Sequence, residues 1–364
     1  MNPDTAALIC SALRGASHIA VTERGLVFDR LPAWTKLHHK HDPLTGQVSV
    51  QGSGVRLELE TAASRISLTY RATLDAPNRP SVVTVACDGV ETSQEHANGN
   101  RRIWHTDGTV ALVEGEDSVA TFELSQVSSP RRVSLWMPHN CQIEIVDLSA
   151  DAELVAAAPR PFNWTHYGSS ISHCVEADSP LGVWPSRIAQ DLSLNLTSFG
   201  MAGSANVEYF AAKTIASIPA ELITLKLGIN VVAGATMTKR TFIPAVHAML
   251  DVIREQQPDV KIVLISPIYC PGLETQPGPV VTNAAGQVLG SEFSPVEWIG
   301  ELTLQSVREI LLEITAQRND ENLSYLDGLA LFNSKDVGLM PDHLHPNADG
   351  YLLMAERAKS LLFS

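Results

Sequence analysis

The sequence predicts two domains of unlike architecture: an antiparallel β-sandwich of jelly-roll type over residues 1–150, and a parallel-sheet α/β domain over residues 161–364, joined by a linker at 151–160. Three observations carry this expectation. A length of 364 residues exceeds what one hydrophobic core usually serves. Apolar residues recur with period two up to about residue 150, then give way to continuous apolar runs separated by helix-spaced stripes. Between the two textures lies an alanine-rich stretch that ends in Pro159-Arg160-Pro161, where proline stops a helix and delivers an extended entry to the next strand.

In the first half, Val55, Leu57 and Leu59 alternate with polar neighbours, and Ile66, Leu68 and Tyr70 repeat the pattern after an Ala-Ala-Ser turn. The run Val82-Val83-Thr84-Val85 leads to Asp88-Gly89, a hairpin signal. Further short strands are expected at 110–113, 119–124, 133–137 and 143–146, with no long helix among them. Many short strands with turn residues between them argue for a sandwich or jelly roll. The cluster His38-His39-Lys40-His41 lacks a second ligand group at metal spacing and carries a lysine among its histidines. It reads as a solvated or substrate-edge loop.

Composition narrows the function classes. An apolar fraction of 45% with 18% charged residues is that of a globular protein. The formal net charge of -14 disfavours general binding to nucleic acid or anionic lipid. Five scattered cysteines, with no Cys-x-x-Cys pair, indicate neither a zinc ribbon nor a disulfide framework. No secretory leader is visible at residues 1–20, and no apolar run is long enough to span a bilayer, so a cytoplasmic protein is expected. Nothing in the sequence calls for a metal or an organic cofactor.

In the second half, strands are expected at 162–167, 194–199, 222–227, 261–266 and 324–332. Between them, Phe242, Val246, Met249, Leu250 and Ile253 share one face at helical spacing, and 302–314 and 348–362 carry similar stripes. Continuous apolar strands alternating with such helices imply a parallel sheet covered on both faces. The first three strands end at Gly168-Ser169-Ser170, at Gly200 and at Asn230, each about thirty residues from the next. In a parallel sheet these ends share one edge, where ligands of such folds bind. Near the C-terminus, Asp342 and His345 stand three apart in the turn before the last helix, with Pro346 suited to its first position. That spacing lets the carboxylate hold one imidazole nitrogen and leaves the other free to act as base, with His343 as the rival.

Tyr-Gly-Ser-Ser-Ile-Ser, Phe-Gly-Met-Ala-Gly, Leu-Gly-Ile-Asn and Asp-His-Leu-His-Pro, in this order, resemble the four blocks of the SGNH (GDSL-type) hydrolase superfamily. The resemblance covers about residues 160–364 and implies a flavodoxin-like α/β/α fold. It implies Ser170 as nucleophile, His345 as base and Asp342 as its orienting acid. It also implies an oxyanion hole formed by the backbone N–H groups of Ser170 and Gly200 with the side-chain amide of Asn230. Two departures stand out: Ser169 replaces the usual aspartate before the nucleophile, and Val231 follows Asn230 where many members carry aspartate.

Such a site would attack an ester carbonyl with Ser170, hold the oxyanion on three donors and pass through an acyl-Ser170 intermediate. Water then completes hydrolysis; an acceptor alcohol completes acyl transfer. The leading expectation is a serine esterase acting on small or carbohydrate-borne acyl esters, with a GDSL-type acyltransferase as the alternative and an inactive sugar-binding protein as the third. An N-terminal β-sandwich joined to this domain is similar to certain carbohydrate esterases and to acyltransferases of natural-product pathways. Tyr269 and Glu274, after the fourth strand on the same edge, are expected to line the pocket, and the glycine- and proline-rich stretch to Ser291 to form a loop over it. No membrane or nucleic-acid partner is expected, and the sequence leaves the oligomeric state open.

Overall fold

The computed structural model describes residues 1–75, 79–105, 109–296 and 299–363. The first half of the chain holds a six-stranded and a seven-stranded sheet. Among the described residues their pairings are antiparallel except one, between Arg65–Leu74 and Asn100–Trp104. The period-two pattern does what it predicts. Leu57, Leu59, Val133 and Leu135 of one sheet and Ile66, Leu68, Ile143 and Ile145 of the other are sealed into a common core. This is an antiparallel β-sandwich. Two short helices that the apolar pattern does not announce, Pro3–Ala12 and Pro43–Ser49, each have an early proline and a side-chain cap, from Asn2 and Asp42.

The second half is built on five parallel strands, here numbered β1 (Asn163–Gly168), β2 (Asn195–Gly200), β3 (Leu222–Lys226), β4 (Lys261–Ile265) and β5 (Leu323–Leu326). Their order is β2-β1-β3-β4-β5, the flavodoxin-like order, with its switch point between β1 and β3. The helices Lys239–Gln256, Leu304–Arg318 and Ala348–Leu362 turn the expected apolar stripes towards the core. β5 is much shorter than the apolar run 324–332 suggests. Asp327 accepts the N–H of Leu329 and starts a 3-10 turn, and Gly328 lies too close to the Ser266 carbonyl to admit a β-carbon.

β2 is an edge strand, and an edge exposes a row of unpaired carbonyls. The β half covers it with arginines. Arg30, with no exposed surface, donates to the carbonyls of Ser198 (3.1 Å) and Gly200 (2.8 Å), and also to those of Gln51 and Val48. Arg56, equally buried, donates to Leu196 O at 3.1 Å and pairs with Glu58 at 2.8 Å. Burial lowers both guanidinium groups to about 10, opposed by Asp29 and Glu58 respectively, so both remain charged at neutral pH. Leu31, Val48, Ala86 and Trp136 of the β half join the core of the α/β half. The two halves therefore pack as one body around the outer side of β2.

Candidate active site

β1 ends in a turn whose steric demands are visible in its residues. A β-carbon on Gly168 would lie 2.3 Å from Ser172 Oγ and would push that hydroxyl out of place. Ser169 takes the cap position of a one-turn helix, Ser170–His173, its side chain accepting the N–H of Ile171, and Cys174 closes the turn at φ +57°. Ser170 is thereby held at the carboxyl edge of the sheet, 9% exposed.

His345 comes to it from the turn before the last helix. Asp342 Oδ1 accepts the backbone N–H groups of Leu344 (2.9 Å) and His345 (2.6 Å), which fixes the turn. Asp342 Oδ2 lies 2.7 Å from His345 Nδ1, and His345 Nε2 lies 2.9 Å from Ser170 Oγ. A carboxylate only accepts, so Nδ1 carries the proton and Nε2 offers a lone pair to the serine hydroxyl. Burial opposes charge on Asp342, but the bonds from the His345 ring and from the two N–H groups outweigh it and hold the acid at about 2. Burial also opposes charge on His345; Asp342 and Glu176 overcome it and raise its proton affinity, against a smaller effect of Arg79.

Asn230 is the second residue of the helix Ile229–Ala233, after Gly228 at φ +108°. Its Oδ1 accepts the N–H of Ala205 at 3.1 Å, which leaves the amide N–H groups to serve as donors. The structure brings Ser170, His345, Asp342 and Asn230 to one edge.

Gly200 requires a correction. β2 bonds to β1 through its odd-numbered positions, as in Met201 N–H to Gly168 O at 2.7 Å. The even positions face the outer edge, where Arg30 takes the carbonyls of Ser198 and Gly200. In an extended strand a residue's N–H and C=O point to the same side, so the Gly200 N–H faces away from β1 and the Ser170 turn. Gly200 is glycine for another reason: a β-carbon there would lie 2.6 Å from His173 N.

Glu274 sits beside a buried arginine. It forms an ion pair with Arg308, which further donates to Pro267 O at 3.2 Å, so its charge is committed within the protein. Tyr269 is half-buried, with its N–H on Phe332 O. His343 adopts φ +66° and turns its ring to Gln287 at 3.1 Å, away from the serine. Gln287 belongs to a hairpin, Val281–Thr282 with Val288–Leu289, whose Val288 N–H donates to Asp342 O at 2.8 Å. The long loop is thus fastened to the acid-bearing turn. His39 is buried against Phe210, with ring centroids 5.7 Å apart.

Sequence reasoning missed several buried polar groups. His166 and Ser172 form a second serine–histidine pair at 2.8 Å, with no exposed surface on either residue. Trp164 N–H donates to Thr224 Oγ1, whose hydroxyl can then donate to His166 Nδ1 at 2.7 Å, leaving Nε2–H for Ser172. Burial first, then the nearby Lys226, push this imidazole down to about 3, so it stays neutral. Lys226 itself is buried, with no partner for Nζ among the described residues, and burial lowers it to about 8 against the influence of Cys270 and Cys174. Its one signal in the sequence is a lysine inside the apolar run of β3.

Comparison with known proteins agrees with this architecture. Residues 166–353, just over half of the chain, match the model of the GDSL-like lipase/acylhydrolase family. Among solved structures, a salicylyl-acyltransferase, SsfX3, from a tetracycline biosynthetic pathway is 25% identical with a TM-score of 0.76, covering 95% of this chain and 93% of that one. A GDSL-like lipase from Bacteroides ovatus gives 16% identity and a TM-score of 0.66, covering 96% and 94%. A family two carbohydrate esterase from Clostridium thermocellum, solved with cellohexaose, gives 13% and 0.56, covering 86% and 92%. Among curated proteins none matches the chain. No helix among the described residues is long and apolar enough to cross a membrane.

Proposed function

The chain belongs to the GDSL-like lipase/acylhydrolase family, and from that premise we propose that it is a serine esterase working through an acyl-Ser170 intermediate on small or carbohydrate-borne esters. The observation that carries this reading is the continuous contact from Asp342 through His345 to Ser170, at 2.7 and 2.9 Å. His345 Nε2 takes the Ser170 proton as Oγ attacks the ester carbonyl, and Asp342 stabilises the imidazolium that forms. The oxyanion rests on the Ser170 N–H and the Asn230 amide. We assign the third donor to the loop 201–205, which Asn230 holds through Ala205, in place of Gly200. Collapse returns the proton from His345 to the alcohol and leaves the acyl group on Ser170; water activated by His345 releases the acid.

Labelling with a fluorophosphonate probe, followed by peptide mapping, tests this directly. The expected adduct lies on Ser170 and is lost in His345→Ala. A folded protein without an adduct would sink the assignment and favour the non-catalytic sugar-binding reading.

Acyl transfer is the second reading, supported by the likeness to the salicylyl-acyltransferase along both halves of the chain. The same groups serve both reactions, since an alcohol can replace water at the acyl-enzyme. Offering an acceptor alcohol with an acyl donor separates them: ester product in excess of free acid favours transfer.

A further inference from the structure

The loop that follows β2 carries the donor assigned above to the oxyanion, and it is held from two sides. On the β3 side, Asn230 Oδ1 accepts the Ala205 N–H at 3.1 Å, and Asn206 Oδ1 accepts the Thr236 hydroxyl at 2.8 Å. On the β1 side the anchor is a buried tyrosine–carboxylate pair. Glu208 Oε1 accepts the Asn206 N–H at 2.6 Å, and Glu208 Oε2 accepts the Tyr167 hydroxyl. The Tyr167 oxygen in turn accepts the Val207 N–H at 3.2 Å.

Tyr167 has no exposed surface and stands in β1, three residues before Ser170. Burial first, then the charge of Glu208, keeps its hydroxyl protonated, so the hydroxyl is the donor to the carboxylate. The pair works against a local cost. Val207 is held at φ +60°, a conformation that a β-branched residue adopts only where its surroundings over-determine it. Hydrogen bonds to the successive N–H groups of Asn206 and Val207 fix this stretch of backbone in direction as well as in place.

We propose that Tyr167 and Glu208 are positioning residues for the oxyanion, which couple the nucleophile strand to the donor loop and act through that loop alone. The contacts run from the strand that carries Ser170, through the Tyr167 hydroxyl and the Glu208 carboxylate, to the backbone of Asn206 and Val207. The neighbouring Ala205 N–H then sets the Asn230 amide. Nucleophile, loop and amide donor are thereby fixed relative to one another. The oxyanion exists only as the tetrahedral species forms, so a loop out of place weakens the chemical step and leaves ground-state binding of the ester largely as it was. The inference rests on the assignment of Ser170, His345 and the donor loop above.

Tyr167→Phe and the isosteric Glu208→Gln test it, each checked for folding by thermal denaturation. With p-nitrophenyl acetate as substrate, each should lower kcat by about ten- to hundred-fold, less than outright loss of a donor, with KM within about two-fold. Phenylboronic acid, which adds to an activated serine as a tetrahedral mimic of the intermediate, should bind more weakly by a similar factor. A merely structural role would lower the denaturation midpoint and leave kcat per folded molecule and boronate affinity unaltered, and that result overturns the proposal. So does a loss confined to KM. Should Tyr167→Phe fail to fold, Glu208→Gln, which keeps the shape of its side chain, decides by the same two readings. Failure of the catalytic assignment looks different: the wild type itself then takes up neither fluorophosphonate nor boronic acid, and the positioning role falls with it.

Discussion

Two serine–histidine pairs place their serines, Ser170 and Ser172, in the same turn after β1, and their difference shows what makes such a pair chemically useful. Ser170 and His345 are 2.9 Å apart, Ser172 and His166 2.8 Å, so distance does not separate them. The third partner does. Asp342 sets the His345 ring so that a lone pair meets Ser170, whereas Thr224 can donate to His166 Nδ1, so that Nε2–H meets Ser172. A histidine that donates to a serine cannot take its proton. Electrostatics point the same way: His345 is raised by its carboxylate neighbours, and His166 is pushed to about 3 by burial beside Lys226. One pair is built to accept a proton, and the other to remain neutral inside a sealed turn.

The largest contrast is expected on deleting each hydroxyl. Ser170→Ala should abolish fluorophosphonate labelling and lower ester turnover by about 10⁴-fold or more, while Ser172→Ala leaves a labelled Ser170. Loss of labelling in a folded Ser172→Ala protein would make the two pairs a single relay and break the comparison. Next comes Asn230→Ala, which removes a donor that only the first pair uses; a fall in kcat of about 10²–10³ is expected with modest change in KM. A change confined to KM would move Asn230 from the oxyanion to ground-state binding.

The pH profile sharpens the electrostatic half of the contrast. Turnover needs neutral His345, whose proton affinity in the fold lies above its ordinary value of 6.5. The acid limb of kcat/KM should therefore have its midpoint above 6.5. The groups facing the ring are Asp342, Glu176 and Arg79. Glu176→Gln should move the midpoint down, and Arg79→Ala should move it up. For stability the sign is that of a raised histidine: the favourable contribution is full below about 6.5 and fades as pH rises through the folded value. Midpoints that ignore both substitutions would show that neither side chain reaches His345 in solution.

Much of this was legible in the sequence, and the unread part has a common cause. Periodicity separates the two halves because a strand with one buried face repeats every two residues, while a parallel sheet buries both faces. The Asp342–His345 contact is legible because three residues of turn bring the two side chains together. The strand ends at Ser170 and Asn230 share an edge for a topological reason that holds for any parallel sheet. Gly200 fails for a reason of parity: one step along β2 decides whether an N–H faces β1 or Arg30, and the sequence does not print the register. Arg30 and Arg56 serve carbonyls roughly 140 to 170 residues away. Tyr167 and Glu208 likewise meet only when β1 packs beside the loop after β2, so local pattern carries no trace of their contact.

The smallest expected effect belongs to the sealed pair, and it is the one that tests whether that pair is structural. Ser172→Ala removes the acceptor of His166 Nε2–H in a site with no exposed surface, leaving a buried donor unsatisfied. Such a loss typically costs about 1–3 kcal/mol. The turn is constrained from several sides, since Gly168 abuts Ser172 and Gly200 abuts His173, so the backbone has little room to adjust. The denaturation midpoint should fall while the rate of Ser170 labelling stays within about two-fold, because Ser172 touches His166 and not His345. Unaltered stability would mean that His166 finds another acceptor, and the sealed pair would then be a consequence of packing instead of a support for the nucleophile turn.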